Sequence, residues 1–271
     1  MVIRSLIAVF VCAVAFAEGP SSAVELPPEL AQWRTDIEKT GNRSVVLARV
    51  FTDTARNEMY VAPDAPERAV IAAVLRSPAV AAQFVASHAL NINLNGRTRQ
   101  VSLILLNMAR AHEWQPFEKA VLTHELGHVH LISSGYPSPN FSGCQATFIG
   151  DIVQHPLIRA EAERRGLSLD PYLQSKAEVD LQAMRNGTLS VKQLDACQRW
   201  AVLSLVTDVQ QGLKNWPLRK EFEERFELLF PGILERATAL APLLDPSALI
   251  QKSLYLHALK RVAFEGTKPP Q

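Results

Sequence analysis

The stretch QPFEKAVLTHELGHVHLISSG, residues 115–135, constrains the fold most. It predicts one helix over about 116–132, with Pro116 suited to the first helical position and Gly135 to the stop. His124 and His128 fall on one face, about 40° apart at the helical period, together with Phe117, Val121 and Leu131. Leu122, Leu126 and Val129 cover the opposite side. A helix that is apolar nearly all round is buried. Two imidazoles one turn apart inside such a helix need partners, because an unpaired buried polar group costs several kcal/mol.

A zinc ion meets that requirement. Neutral imidazoles at i and i+4 converge on a single ion, and zinc lowers the pKa of its water to about 7. Glu125 projects beside the histidine pair and is the candidate general base that takes a proton during attack on a carbonyl. His130 points to another side of the helix and is expected to be an exposed histidine, not a ligand.

Two histidines leave the zinc site incomplete. The candidate third ligand is His155 in FIGDIVQHPLIRAEAERRG, with Asp151, four residues earlier on the same helical face, as the alternative ligand or as a carboxylate orienting a histidine. Pro156 disfavours continued helix at position 155 and predicts a kink or a helix start there. Glu161 ranks behind these two because its neighbourhood is a charged, solvated face, and Glu178 and Asp180 offer another acidic pair. His112 and Tyr136 are the nearest candidates for stabilising a developing oxyanion.

HELGH preceded by a β-hairpin resembles the zincin class of HExxH zinc metallopeptidases over about residues 85–165. The resemblance implies a zinc-dependent peptidase in which an edge strand before the active-site helix holds an extended peptide substrate. Here that strand would be RQVSLILLN (99–107). The metzincin continuation HExxHxxGxxH is not met, since Leu131 stands where its glycine belongs. A gluzincin glutamate is absent between His128 and Glu161. AEVDLQAM, with Glu178 and Asp180, loosely resembles the glutamate-bearing helix of the ImmA/IrrE-like peptidases.

The rest of the chain supplies context. MVIRSLIAVFVCAVAFAEG has one cation, Arg4, an apolar run from Leu6 to Ala17 and an Ala15-Phe16-Ala17 cleavage signal. It reads as a signal peptide over 1–17, since the run is shorter than the roughly 20 residues that cross a bilayer. The expected location is therefore secreted or periplasmic, without stable membrane insertion after signal removal. Cleavage removes Cys12 and leaves Cys144 and Cys197, a pair that suggests one disulfide, with two separate thiols as the alternative. Such a bridge would stabilise by about 4 kcal/mol in the chain-entropy picture. The 271 residues carry a net charge of +1 and no basic stripe, which argues against a nucleic-acid partner. A peptide or protein substrate is the expected partner, with a zinc hydrolase of another amide such as cell-wall peptide, or a non-catalytic secreted helical binding protein, as the alternatives.

Residues 18–30 read as a linker rich in Pro, Ser and Gly. Strands are predicted over 44–51 and 58–62, and helices over 66–76 and 77–89. Asn95-Gly96 predicts a hairpin turn before a strand over 97–107. Helices follow over 116–132, 147–165, 173–186, 190–213, 219–229 and 246–263. The fold class is α+β. A small N-terminal sheet and hairpin with helices and the HExxH helix (31–145) precede an all-helical half (146–265) and a tail (266–271).

Overall fold

The computed structural model describes residues 20–56, 58–76, 86–89, 100–137, 144–189 and 196–266. The expected signal peptide, the Asn95-Gly96 turn and most of the tail lie outside them.

Four strands form one mixed sheet: β1 (Ser44–Asp53), β2 (Glu58–Tyr60), β3 (Ala86–Ala89) and β4 (Val101–Asn107), in the order β2-β1-β4-β3. β1 and β4 run parallel, Ser44 opposite Val101 and Val50 opposite Asn107. Both are rich in branched apolar residues, and both faces of this central pair are covered, as parallel pairing requires. Alternate residues supply the two faces. Val45, Leu47, Ile104 and Leu106 face α1 (Pro28–Gly41), while Val46, Ala48, Val50, Leu103 and Leu105 face α2 (Arg68–Leu75).

β3 pairs antiparallel with β4, Ala86 opposite Leu106 and Ala89 opposite Leu103. This register is symmetric about position 96, where the sequence places its turn. Two expectations are corrected here. Residues 86–89 form a strand, not the end of a helix over 77–89. β4 is bracketed by β1 and β3, so it is not the free edge expected of RQVSLILLN. Among the described strands that edge belongs to β3.

The stretch expected as a linker is tied down where described. Ser22 is buried: its hydroxyl donates to the Arg49 carbonyl at 2.9 Å and accepts from the Ala62 amide at 2.7 Å. α1 then begins at Pro28 and buries Leu30, Trp33 and Ile37.

From residue 108 onward the described chain is helical. A short α3 (Ala111–Trp114) leads to α4 (Glu118–Ser133), which carries the HELGH sequence between the sheet side and the C-terminal helices. α5 (Cys144–Arg164) crosses α4 and continues through Pro156, so of the kink or helix start expected at 155 the start is not found. Proline removes one N–H from the ladder, and burial of Ile152, Val153, Leu157 and Ile158 on either side holds the helix together. α6 (Asp170–Arg185), α7 (Ala196–Gly212), α8 (Arg219–Leu229), α9 (Ile233–Leu240), α10 (Pro246–Leu249) and α11 (Lys252–Gly266) complete the chain. The helix expected over 246–263 is thus two helices, and α9 was not foreseen.

Leu131 of α4 belongs to the C-terminal core, while Ala162 of α5 belongs to the core under the sheet. The boundary drawn near 145 therefore runs through a packed contact. Gly127 sets the α4–α5 separation: a Cβ there would lie 2.2 Å from Ile158 Cγ2.

Candidate metal centre

α4 and α5 each deliver side chains to one point. His124 and His128 project from α4, one turn apart, and His155 reaches them from α5 across the Gly127–Ile158 contact. The Nε2 atom of His124 is 2.9 Å from that of His155 and 3.1 Å from that of His128. Among the described residues, these three histidines form a group that can hold a metal ion.

The other ring nitrogen of each histidine is engaged. His155 Nδ1 lies 2.7 Å from Asp208 Oδ2, so Nδ1 carries the proton and donates it to the carboxylate. His128 Nδ1 lies 2.6 Å from Gln154 Oε1, and the Gln154 amide nitrogen donates to the Tyr255 hydroxyl at 2.9 Å. With its NH₂ so used, the amide presents its oxygen to His128, which is again the Nδ1–H donor. His124 Nδ1 lies 3.2 Å from Glu125 Oε1. All three rings therefore turn their Nε2 lone pairs inward. Lone pairs at 2.9–3.1 Å repel each other unless a cation lies between them. Donors on a tetrahedral ion with bonds of 2.0–2.1 Å stand about 3.3 Å apart, close to the separations of His124 from His155 and from His128, and all three donors lie within 4.8 Å of one another. The residues present fit a zinc-type ion.

Asp151, one turn before His155, places Oδ1 3.7 Å from His155 Nε2 and 3.9 Å from His128 Nε2. That is just beyond the tetrahedral spacing. Burial pushes its carboxyl above the usual carboxylate range, against the pull of His155 and His124. Burial also raises Asp208, but the charge and hydrogen bond of His155 outweigh it and hold Asp208 low. The reciprocal effect leaves His155 raised in spite of its burial. His128 and Glu125 are enclosed, whereas the His124 and Asp151 side chains are both 23% exposed, so the site opens to solvent on their side.

The remaining candidates lie elsewhere. Glu161 is engaged by Arg164 and Arg165, with its carboxylate 4.0 Å from His130. Glu178 accepts from Gln174 on the face of α6. Asp180 is raised by burial beside Lys176. His130 is half-buried rather than exposed: its ring packs on Trp33 at 5.9 Å, and burial lowers its pKa. The Tyr136 hydroxyl donates to the Ile250 carbonyl, and the His112 side chain is exposed beside Glu113. Cys197 is disulfide-bonded. The Cys144 side chain lies outside the described residues.

Asp208, Gln154 and Tyr255 were not foreseen. For Asp208 a signal existed: it is the sole charged residue between Arg199 and Lys214, in a helix otherwise rich in Val and Leu. A lone carboxylate in such a setting requires a partner.

No protein-family model, no curated protein and no solved structure matches the chain.

Proposed function

We propose that the chain is a zinc-dependent hydrolase of peptide bonds, exported to the periplasm or beyond. The observation that carries this reading is the convergence of three Nε2 lone pairs within HELGH and its crossing helix, at a point open to solvent. His124, His128 and His155 would hold the ion. Bound zinc would supply a Lewis acid for the scissile carbonyl and a water acidified to a pKa of about 7. Glu125 lies beside His124 and would accept the proton of the attacking water. β3, the sheet edge that lies against α4, would align an extended peptide by backbone pairing. Among the described residues no helix is long and apolar enough to cross a membrane. The same machinery would serve another amide substrate, such as cell-wall peptide.

One observation favours a second reading. Asp151 Oδ1 stands so near two ligand nitrogens that a small shift of its side chain would fill the fourth position. A closed site of four protein ligands is structural rather than catalytic.

Zinc content and hydrolysis separate the readings. The wild type should hold about one zinc per chain and cleave unfolded casein or cell-wall peptides. Glu125→Gln should keep the zinc and lose cleavage. Equal cleavage by Glu125→Gln would remove the general-base assignment. A wild type that is inert toward both substrates and loses its zinc on Asp151→Ala would favour the closed site. Absence of zinc after reconstitution would end both readings.

A further inference from the structure

The C-terminal helices reach the metal centre at two points. α7 sends Asp208 to His155 Nδ1 at 2.7 Å. α11 sends Tyr255, which is fully buried, to Gln154 at 2.9 Å, and Gln154 meets His128 Nδ1 at 2.6 Å. Each contact lies on the side of the imidazole away from the convergence point. Tyr255 belongs to the apolar C-terminal core with Ala258 and Leu259, and Asp208 is buried on a helix whose Val206 and Val209 belong to the same core, with the charge of Arg159 acting on it beside that of His155. A helix needed only for packing gains nothing from a carboxylate there, because burying it is costly without a partner. The feature it does satisfy is the Nδ1–H of a histidine whose Nε2 faces the other two.

We propose that Asp208 and Tyr255 are positioning residues of the metal centre and couple metal occupancy to the seating of α7 and α11 on α5. Asp208 fixes the ring orientation and tautomer of His155 directly. Tyr255 holds the Gln154 amide with its nitrogen on the hydroxyl and its oxygen toward His128 Nδ1, and so acts on the orientation and tautomer of His128 through that amide. Outer partners of this kind fix the tautomer and raise the basicity of the ligand. The inference rests on the three-histidine site holding a metal. It extends that reading by assigning the C-terminal half a share in ion retention.

The test is zinc affinity, measured by competition with a chromogenic chelator on the full mature chain, with the cobalt(II) absorption spectrum as a second readout. Asp208→Ala should weaken zinc by about 10- to 100-fold. Asp208→Asn retains an oxygen that accepts the Nδ1–H but loses the charge, so its loss should be smaller. Tyr255→Phe should weaken zinc, and all three variants should shift the cobalt bands. In the wild type, zinc should slow amide exchange in 203–209 and 255–262, and this protection should shrink in Asp208→Asn. If Asp208→Ala does not fold, Asp208→Asn and Tyr255→Phe carry the comparison. Wild-type affinity and cobalt spectrum in Asp208→Asn and Tyr255→Phe would overturn the proposal, as would lowered melting temperatures with unchanged affinity. A wild type that binds neither zinc nor cobalt would instead sink the metal reading itself, and this inference with it.

Discussion

Gly127→Ala should separate metal binding from folding. The added Cβ would lie 2.2 Å from Ile158 Cγ2, 3.0 Å from its Cγ1 and 3.1 Å from its Cβ, whereas ordinary contact begins at 3.4 Å. No rotamer of Ile158 clears the methyl, since its own Cβ is already too near, and Ile158 is only 1% exposed. The α4 and α5 backbones must part by about 0.3 Å, the gap between 3.1 and 3.4 Å, if Ile158 turns its γ carbons away, and by about 1.2 Å, the gap between 2.2 and 3.4 Å, if it keeps its rotamer. Overpacking of this kind costs about 1–3 kcal/mol. Replacing a mid-helix glycine by alanine returns about 1 kcal/mol of helix propensity. The net loss of about 0–2 kcal/mol leaves most small domains folded. The metal site tolerates far less, because ligand distances must hold to about 0.2 Å. His155 travels with α5 while His124 and His128 stay on α4, so zinc affinity should fall on the order of 100-fold. Chelator competition reads the affinity and a urea melt reads the stability. Adding Ile158→Ala should restore much of the affinity while costing a further 2–4 kcal/mol or so through the cavity it leaves. Affinity and stability would then move in opposite directions. Wild-type zinc affinity in Gly127→Ala would refute the claim that this contact sets the site.

Three further outcomes follow from the packing and charges. Zinc removal by a chelator should lower the melting temperature, by the equivalent of about 4 kcal/mol if the zinc had been held at 1,000 times its Kd, and His128→Ala should abolish the difference. Phe222, fully buried with its ring 4.4 Å from that of Phe226, should cost about 3–5 kcal/mol when changed to alanine, seen as a lower urea midpoint with an unchanged slope. Hydrogen bonds from Arg185 and Arg225 hold the Glu221 carboxyl down at about 2 against an ordinary 4.5. Its folded-state value is depressed, so this contribution is complete above pH 4.5 and fades as pH falls toward 2. Melts across that window should be less steep in Glu221→Gln, and added salt should narrow the difference because the side chain is 33% exposed to solvent.

Local spacing made half of the site legible. His124 and His128 are four residues apart on a helix whose burial follows from its own composition, so their shared face needed no tertiary information. His155 was legible only as a candidate, because its approach depends on how α5 crosses α4, and that crossing is set by Gly127 against Ile158. Asp208 and Tyr255 lie 53 and 101 residues from the side chains they hold, and helix periodicity does not carry such pairings. The strand reading failed for a related reason. The apolar run in β4 correctly implied cover on both faces, but face burial says nothing about which strands lie at its edges. β1, more than fifty residues earlier, takes the edge that a hairpin alone would leave open. α1 escaped notice because a Pro- and Ser-rich lead-in and a charged RTDIEK segment disguise the buried stripe of Leu30, Trp33 and Ile37.

The donor arrangement has a symmetry that bears on what the site can do. α4 presents His124 and His128 at i and i+4, and α5 presents Asp151 and His155 at the same spacing. Two such pairs facing each other across a helix crossing make a four-donor cage with no further chain required. Here the cage is drawn tighter at one end. The imidazoles meet at 2.9 and 3.1 Å, while the carboxylate stays 3.7 and 3.9 Å from its two nearest nitrogens. The tightening follows from what lies behind each donor. Asp208 and the Gln154–Tyr255 pair stand on the far side of His155 and His128 and fix both rings with their Nε2 atoms inward. Asp151 sits at the solvent opening, where exchange with water is easiest. A cage braced behind two of its histidines and open at its acid would keep one coordination position of a bound ion within reach of an incoming molecule. That asymmetry, more than the HELGH sequence alone, is why the hydrolase reading is preferred to the closed site.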